Sequence, residues 1–575
     1  MKSWVIKNKI ELLLFAIFFI LAIGLIWLLD NPFFTVAVIG ILPLLLVLIH
    51  SCLHDRWKKI ISCTRSRKAF VLYILAAISV IGVLRVYMVY GLADHYGRVS
   101  FLLAVYLSYL LLITCYGMFF ANWKIEQVFL TLGISGGMFL MINLPLRAAP
   151  DETIHMYTAY HLSDQLLQLS EPQSTVLHMR ETDLDVFKEN LEFGCDRQVM
   201  NNYYELAVKE ADVTVVEENI KILHGSEIAY LLPACAISLS RVLQLNGFWT
   251  FMMGRVVNLL QYLFFIYISI KQIPFCKMIP FVIALLPMSL QQGTSYSYDS
   301  LLISGSIYVV SLSLYEFYRD NEKPRKYSDY RTLVGLSVMA LVMIMIKSHA
   351  YFMIGLFPLY LIFQKKFSMR GFWKWLTVLI GILCLIFALY LTVDSVCGLP
   401  ELFSVPENTI QWAGGEQGYT LAYLLNNPVD AVMVFVNTLI RNTGDYVVTL
   451  IGRQLGWLNI PVSRVVVILY GAIMLFVFVN SDRGEQSVPD GVYLYSLLSI
   501  IVTVFGIFLA LLVSWTPLSS QVIQGLQGRY FLQIMMFVGL LFQKKSITIA
   551  NHMSIVTCGE CLGLMLLASS LLFRM

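Results

Sequence analysis

The sequence predicts an all-α polytopic membrane protein with about 15 transmembrane helices, in a range of about 13–15. Two observations lead to this fold class. Of 575 residues, 58% are apolar and 13% are charged, and the mean hydropathy is +0.74, which excludes a water-soluble globular protein. Apolar runs of roughly 17 to 22 residues recur along nearly the whole chain, and a helix of that length crosses a bilayer.

The first apolar run, residues 11–29, is predicted to be retained as a membrane span. It is longer than the hydrophobic core of a signal peptide, and no small-residue cleavage site follows it. A second apolar run begins directly after Asp30, Asn31 and Pro32. We therefore expect a multi-pass membrane protein and not a secreted one.

Charge is distributed unevenly and indicates the orientation. Residues 147–227 contain 16 Asp and Glu against 6 Lys and Arg, a net charge of −10, so the remainder of this +4 chain carries +14. Basic residues cluster in short loops at 56–68, 319–331, 365–374 and 544–545. The positive-inside rule places those loops in the cytoplasm, so we expect no nucleic-acid partner.

Counting spans from a cytoplasmic N-terminus places the acidic segment outside. The first spans are predicted near residues 10–29, 33–50, 69–91, 101–121 and 125–144. A first outer loop, 145–248, follows them. Within it, the apolar stretch 228–240 is short and contains Pro233. If it crossed the membrane, the basic loop 319–331 would lie outside, so we predict an interfacial helix on the outer surface.

The remaining elements alternate in the same way. Six further spans are predicted, near residues 249–270, 277–291, 299–318, 332–346, 349–363 and 373–393. A second outer region, 394–462, contains the interrupted apolar stretch 430–451, which is typical of an interfacial or re-entrant segment. The closing spans, near 463–480, 491–514, 527–543 and 551–572, place the C-terminus outside. Because the polar loops lie outside, we expect the chemistry there.

The ten cysteines show no disulfide spacing. Cys558 and Cys561 form a C-x-x-C sequence, but it lies within the last apolar run, where helix packing is the more ordinary role. Cys195 and Cys397 are both expected outside and could pair if the fold brings them close.

The most informative residues are Asp151, Glu152 and His155, which follow Pro150 where the span 125–144 leaves the membrane. A structural interpretation is that Pro150 begins a helix, that the two carboxylates complement the helix dipole, and that His155 packs nearby. A functional interpretation is that ionisable groups at the bilayer boundary mark a site, with Asp151 as its base. Asp151 and His155 are four residues apart and are expected on one helix face.

Further polar clusters are predicted at the outer face. They are Gln291 to Ser300, Lys347 to His349, Gln524 to Tyr530, and the pair Arg255 and Asn258. Lys347 is not explained by the positive-inside rule, so it is either functional or a lysine that reaches the headgroups. Arg529 at a helix start beside Gly528 indicates a bound anion such as a lipid phosphate.

Two of these sequences carry a family resemblance. The sequence Pro150-Asp151-Glu152-x-x-His155-x-Tyr157 and the sequence Gln527-Gly528-Arg529-Tyr530 resemble signatures of the bacterial membrane proteins called domain of unknown function 2142. Supporting matches are Ala229 to Pro233, Gly254-Arg255-x-x-Asn258, Ser297-Tyr298-Asp299 and Leu455-Gly456-Trp457. The resemblance covers about residues 125–545 in order. The sequence departs from the family pattern at two places. Ala149 stands where the family has the first of two prolines before Asp-Glu, and the Tyr-Leu-Pro motif has an extra leucine.

That family in turn resembles the C-type (GT-C) glycosyltransferase superfamily. The resemblance implies a GT-C-like helix bundle whose large first core loop is extracytoplasmic, bears interfacial helices and carries an acidic catalytic motif. It also implies a polyprenyl-phosphate-linked sugar donor and a bacterial cytoplasmic membrane. The expected domains are a four-helix extension at 1–121, a catalytic core at 122–393 that includes loop 145–248, the second outer loop at 394–462, and C-terminal helices at 463–575.

The resulting hypothesis is an inverting glycosyl transfer to a cell-envelope glycan or lipid acceptor at the outer leaflet. Asp151 would act as the base, and Glu152 is expected with it in the catalytic pair. Residues expected to bind substrate or phosphate are His155, Arg255, Asp299, Lys347, His349, Gln527, Arg529 and Tyr530. Metal dependence stays open, because some members of the superfamily use a divalent metal and others do not. If a metal is bound, Asp151, Glu152 and His155 are its candidate ligands.

Two other classes of function use the same donor chemistry. A transporter or flippase for a lipid-linked glycan would share the phosphate-binding cations, but the inverted repeats or broken helices typical of transporters are not clear in the sequence. A polymerase or ligase of glycan chains would share the topology and the donor class.

Overall fold

A computed structural model of the chain describes residues 64–119, 122–171, 176–188, 191, 196–219, 227–319, 327–346, 348–364, 408–480, 488, 490–543 and 552–573. The predicted spans near 10–29, 33–50 and 373–393, and also Lys347, Cys195 and Cys397, lie outside the described residues. The chain divides into two compact units, residues 1–122 with 572–574 and residues 123–571. The finer domain boundaries given above stay a prediction.

The described part of the first unit contains two long helices, α1 (Thr64–Tyr90) and α2 (His95–Phe119). Tyr87 and Phe101 meet edge to face with ring centroids 6.0 Å apart. The Arg98 guanidinium donates to the carbonyl oxygens of Leu92 and Ala93 at 2.9 and 3.2 Å, which closes the connection between the helices. These helices correspond to the spans predicted near 69–91 and 101–121.

The second unit begins with α3 and with residues 145–248, the predicted first outer loop, which we call the outer segment. Its elements are α3 (Ile125–Asn143), α4 (Glu152–Leu166), β1 (Val176–Arg180), α5 (Glu181–Lys188), α6 (Arg197–Glu205), β2 (Val215–Asn219), a 3₁₀ turn (Glu227–Tyr230) and α7 (Leu231–Val242). The helices α8 (Gly247–Gln272), α9 (Met278–Leu285), α10 (Pro287–Thr294), α11 (Tyr298–Tyr318), α12 (Tyr327–Met345) and α13 (Ser348–Gln364) follow. Helix α11 lies at the centre, packed against α8, α10, α12 and α13.

The C-terminal half of this unit contains a second polar region and further apolar helices. The elements are β3 (Thr409–Ile410), β4 (Glu416–Gln417), α14 (Leu421–Asn426), α15 (Pro428–Ile451), β5 (Gln454–Leu455), β6 (Ile460–Pro461), α16 (Arg464–Val479), α17 (Asp490–Trp515), a 3₁₀ segment (Gly528–Ile534), α18 (Met535–Phe542) and α19 (His552–Leu572). Cys558 and Cys561 both lie on α19.

Six helices in the described residues are long and apolar enough to cross a membrane: residues 95–118, 125–143, 247–272, 298–318, 490–515 and 553–572. Shorter apolar helices lie at 76–90, 331–345, 350–362, 464–479 and 528–542. The protein is therefore a mostly helical membrane protein. The total of about 15 spans stays a prediction.

Two predicted spans are not single α-helices. The predicted span 277–291 is divided into α9 and α10 at Leu286, whose φ is −55° and ψ is 140°. Pro287 explains the break, because a proline disfavours the helical conformation in the residue before it and has no N–H to donate. The predicted span 527–543 begins as a 3₁₀ segment and continues as α18.

The regions predicted to be outer loops also contain strands, which the all-α prediction omits. Strands β1 and β2 pair antiparallel from Val176 opposite Asn219 to Arg180 opposite Val215. Two shorter antiparallel pairs, β3 with β4 and β5 with β6, lie in the second polar region. The fold is therefore mostly helical with short two-stranded sheets.

Buried ion pairs hold the first outer segment together. The Arg180 guanidinium donates to both carboxylate oxygens of Asp183 at 2.7 and 2.8 Å and to the Thr250 hydroxyl at 3.0 Å. The Tyr160 hydroxyl donates to Asp183 at 2.7 Å. Burial first, and then the charge of Asp183, raise the pKa of Tyr160 well above its ordinary value, so this hydroxyl keeps its proton.

Helix α7 has the form expected of an interfacial helix. It has 12 residues, too few to span a bilayer. Its exposed apolar side chains recur every three or four positions, at Leu232, Cys235, Leu239 and Val242. On the opposite side, the buried Arg241 donates to Asp164 of α4 at 2.7 Å. This pair fastens the helix to the outer segment.

Helix α15 is continuous over 24 residues. The interruptions at Asn437, Arg441 and Asp445 do not break it, and it is not among the candidate spans in the described residues. Exposed apolar side chains recur along its first half, from Val429 to Ile440. Its interfacial or re-entrant position stays a prediction.

A substitution at Gly247, the first residue of α8, tests how α8 joins the outer segment. A Cβ added there would lie 2.0 Å from the backbone oxygen of Thr182, and backbone cannot move aside as a side chain can. We expect Gly247→Ala to destabilise the protein by at least the about 1–3 kcal/mol typical of overpacking, measured as a lower thermal unfolding midpoint in detergent. Gly444→Ala is the control, since no atom lies within 4 Å of a Cβ there. Equal midpoints for the two variants would contradict this packing.

Candidate functional site

Asp151 and Glu152 are neighbours in sequence but occupy opposite environments. Asp151 precedes α4 in the left-handed conformation, with φ 61° and ψ 8°, which is strained for a residue with a side chain. Its side chain makes no capping hydrogen bond and is 50% exposed. Glu152, the first residue of α4, is fully buried. The left-handed turn therefore presents one carboxylate to solvent and buries the other.

Glu152 forms a two-pronged ion pair with Arg255 of α8. Arg255 Nε donates to Glu152 Oε1 at 2.9 Å, and Arg255 Nη2 donates to Glu152 Oε2 at 2.6 Å. The backbone N–H of Tyr296 donates to Oε1 at 2.9 Å, and that of Ala149 donates to Oε2 at 3.3 Å. Both oxygens of the Glu152 carboxylate are thus engaged by buried groups.

Arg255 also binds the chain between α3 and α4. It donates to the carbonyl oxygens of Met141 at 3.2 Å, Leu144 at 2.7 Å and Pro145 at 2.8 Å. One turn further along α8, the Asn258 amide donates to the Ser295 carbonyl at 3.0 Å. Helix α8 therefore positions both the segment that carries Asp151 and the segment that leads to Asp299.

Arg529 lies between two carboxylates, Asp151 and Asp299. Its Nη2 is 3.5 Å from Asp151 Oδ2, and its Nε is 3.8 Å from Asp299 Oδ2. The guanidinium carbon of Arg529 is 5.2 Å from the ring centre of Tyr530. The Arg529 side chain is only 5% exposed. Three segments that are distant in sequence therefore meet at this cation.

The contacts of Arg529 with the carboxylates are long. Both exceed the 2.7–2.9 Å of a strong charge-assisted hydrogen bond. Arg529 Nε and Asp299 Oδ1 are buried and have no hydrogen-bond partner in the described part of the chain, and the same holds for Gln527 Oε1. The cluster therefore has buried hydrogen-bonding capacity that a polar ligand could use.

His155 is buried beneath this cluster and belongs to a group of aromatic rings. Its Nδ1 lies 2.6 Å from the Tyr230 hydroxyl. Its ring centre lies 5.6 Å from that of Tyr230, nearly parallel, and 5.0 Å from that of Tyr298, edge to face. His155 thus links α4 to the 3₁₀ turn before α7 and to the start of α11.

Close contacts fix both the 3₁₀ segment that bears Arg529 and the turn after β5. A Cβ at Gly528 would lie 2.3 Å from the Tyr446 carbonyl oxygen and 2.4 Å from the Leu450 nitrogen, so the segment lies directly on the backbone of α15. Gln291 of α10 accepts from the N–H of Gly456 at 2.9 Å. The turn after β5 is thereby joined to the bundle.

The structure brings together most of the predicted site residues. Asp151, Asp299, Arg529 and Tyr530 form the cluster, while Glu152, Arg255 and His155 lie in the buried layer that supports it. Lys347 lies outside the described residues, and of His349 only the backbone, within α13, is described. Where side chains are described, no group of three or more His, Cys, Asp or Glu could hold a metal ion. Metal dependence therefore stays open.

Sequence reasoning did not find the division between exposed and buried carboxylates. It depends on the positive φ of Asp151, which no residue pattern indicates for an aspartate. It also did not single out Arg147, which has φ 71° and donates to the Thr153 hydroxyl at 3.2 Å and the Phe187 carbonyl at 2.9 Å. An arginine in an acidic segment is the signal that could have drawn attention to it.

Comparison with known proteins gives one match. A family profile described as "Predicted membrane protein (DUF2142)" matches residues 132–538. Searches of curated proteins and of solved structures found no match. The matched region includes every residue of the cluster and of its buried support.

A substitution of Glu152 tests whether its role is structural. Glu152→Gln leaves the Arg255 charge buried without its counter-charge, and breaking a buried pair in this way costs about 3–5 kcal/mol. We expect a marked fall in the thermal unfolding midpoint of the purified protein. The double variant Glu152→Gln with Arg255→Met removes both charges and should recover part of that loss. A Glu152→Gln protein as stable as the parent would show that the pair does not hold the segment.

Proposed function

The chain belongs to the DUF2142 family of predicted membrane proteins, and from this premise we propose that it is a membrane glycosyltransferase. It transfers a sugar from a polyprenyl-phosphate-linked donor to a glycan or lipid acceptor of the cell envelope, with inversion, at the outer face of the cytoplasmic membrane. The observation that carries the proposal is the half-exposed Asp151 carboxylate 3.5 Å from a buried arginine. A base and an anion-binding cation are thus adjacent.

Asp151 is the general base of this reaction. An acceptor hydroxyl needs a base within hydrogen-bond reach in order to attack the anomeric carbon, and such a base contributes roughly 10²–10⁴-fold. Half of the Asp151 side chain is exposed to solvent. Among the described residues, its carboxylate makes only one contact, the long one to Arg529. The strained backbone holds this carboxylate outward and away from a capping role.

Arg529 binds the phosphate of the donor and stabilises the charge that develops as it leaves. An arginine is well suited to this because its planar guanidinium presents several N–H donors to phosphate oxygens. The cation is fixed before substrate arrives, so little reorganisation is needed during the reaction. Asp299, buried beside Arg529 Nε, positions the guanidinium. Gln527 and Tyr530 flank it on the same segment.

Glu152, Arg255 and His155 are proposed as positioning residues. The ion pair of Glu152 and Arg255 fixes the turn that carries Asp151. His155, with Tyr230 and Tyr298, fixes the first turns of α4 against the start of α11, where Asp299 lies. In this proposal their effect on the reaction is exerted through Asp151, Asp299 and Arg529.

A lipid-linked donor agrees with the exposed apolar surface of α15, the helix on which the segment bearing Arg529 packs. Helix α15 contacts the 3₁₀ segment through Gly528 and exposes apolar side chains such as Val432, Val436 and Leu439. Lipid chains can lie against such a surface while the phosphate reaches the cation. This arrangement supports a donor that stays in the membrane.

The catalytic proposal predicts a loss of activity in Asp151→Asn. The amide keeps the size of the side chain but cannot accept the acceptor's proton, so sugar transfer should fall about 10²–10⁴-fold. The assay uses purified protein in lipid nanodiscs with polyprenyl-phosphate glucose and a lipid extract of the host membrane as acceptor. Glu210→Gln, an exposed carboxylate of the same outer segment, is the matched control and should keep full activity.

Glycolipid profiling of cells extends this test. Cells that lack the protein, or that contain Asp151→Asn, should lack one sugar in an envelope glycan. Full transfer by Asp151→Asn would refute the mechanism. Accumulation of an intact lipid-linked glycan, with no missing sugar, would contradict single-sugar transfer and indicate transport or chain ligation.

The proposed outer location is tested by cysteine labelling. In a variant whose native cysteines are replaced, Glu210→Cys should react with a membrane-impermeant maleimide in intact cells because residues 147–227 are proposed to be outside. Arg331→Cys should react only after permeabilisation. The opposite pattern would place the Asp151 cluster on the cytoplasmic side.

A further inference from the structure

A separate cavity of about 230 Å³ opens on the outer segment. It lies among α4, α5 and the sheet of β1 and β2. Its lining residues are Tyr157, Met179, Leu184, Phe187, Lys188 and Glu218. None of the residues assigned above to catalysis or to phosphate binding lines it.

Aromatic rings form one wall of this cavity. Tyr157 and Phe187 lie nearly parallel, with ring centroids 4.6 Å apart and 17° between their planes. The Arg147 guanidinium carbon lies 5.5 Å from the ring centre of Phe187, and its Nη1 donates to the Phe187 carbonyl. The two rings are thus held in a fixed orientation, although both remain partly exposed.

Two charged residues, Lys188 and Glu218, also line the cavity. Leu177 pairs with Glu218 and Met179 with Val216, so Glu218 is on the same sheet face as two fully buried apolar residues. An apolar side chain would be the ordinary choice on that face. Lys188, 61% exposed, is held by Glu181 at 3.1 Å and Asp185 at 3.0 Å. The cavity lining therefore includes an ammonium donor and a carboxylate acceptor as well as the aromatic rings.

We propose that this cavity binds one sugar ring of the acceptor glycan, an assignment that rests on the proposed glycosyl transfer. A pyranose ring has a face of C–H groups that packs on aromatic rings and a circumference of hydroxyls that both donate and accept hydrogen bonds. The cavity offers both kinds of partner. Its volume is below the about 300–1,000 Å³ of pockets for drug-sized ligands, which suits a single small ring.

The cavity is connected to the catalytic cluster through α4. Tyr157 is six residues after Asp151, about 9 Å along the helix axis. Arg147 contacts Thr153 in the first turn of α4 and Phe187 in the wall of the cavity. A sugar held at Tyr157 and the residue Asp151 would thus lie about 9 Å apart along the helix axis, a separation that one acceptor chain could bridge.

Saturation-transfer NMR on the full-length protein in nanodiscs tests this site. The probes are methyl β-D-glucopyranoside, methyl β-D-galactopyranoside and methyl N-acetyl-β-D-glucosaminide. We expect saturation of at least one probe, a severalfold weaker signal in Tyr157→Ala, and recovery in Tyr157→Phe, which restores the ring. Glu218→Gln should weaken the signal, whereas Glu217→Gln, its neighbour on the other sheet face, should not.

The remaining outcomes separate this inference from the catalytic proposal. No saturation of any probe, or a signal that Tyr157→Ala leaves unchanged, would overturn the sugar site, provided that the unfolding midpoint shows a folded variant. Asp151→Asn should bind the probes normally. If Tyr157-dependent binding persists but Asp151→Asn transfers sugar as the parent does, the binding site stands and the transferase mechanism fails. If instead sugar transfer depends on Asp151 but no probe binds at Tyr157, the transferase mechanism stands and the sugar site fails.

Discussion

The buried ion pair of Glu152 and Arg255 is the interaction on which the proposed site depends. It joins the start of α4 to α8, and the same guanidinium binds three carbonyls of the segment between α3 and α4. Two charges taken out of water are tolerated only when every donor and acceptor is satisfied. Here the N–H groups of Ala149 and Tyr296 complete the set. The position of Asp151 follows from this fully bonded neighbour.

The two adjacent carboxylates therefore have different properties because of one backbone conformation. With Asp151 in the left-handed region, its side chain points toward Arg529 and solvent while that of Glu152 enters the bundle. Strain at such a residue persists only where surrounding contacts determine the conformation. Arg529 is in turn held by the close packing of Gly528 on α15. The cluster is thus assembled from helix ends that are each anchored independently.

The outer segment is more than a connection between spans. Two of its acidic residues form buried ion pairs, Asp183 with Arg180 and Asp164 with Arg241. These pairs give it a fixed shape, which an acidic loop exposed only to water would lack. That shape creates both the cavity at Tyr157 and the attachment of helix α7.

The sequence by itself determined the membrane class, most helix positions and the motif residues, because apolar run length and charge asymmetry are local properties. It also pointed to Asp151 and Arg529 as members of one site. It did not reveal the break before Pro287 within a predicted span, the sheet of β1 and β2, or the buried role of Glu152. Those features were decided by tertiary structure, since partners 103 residues apart, as in Arg255 with Glu152, meet only when the helices pack. Which of two neighbouring carboxylates is buried is a property of those partners and cannot be read from the pair itself.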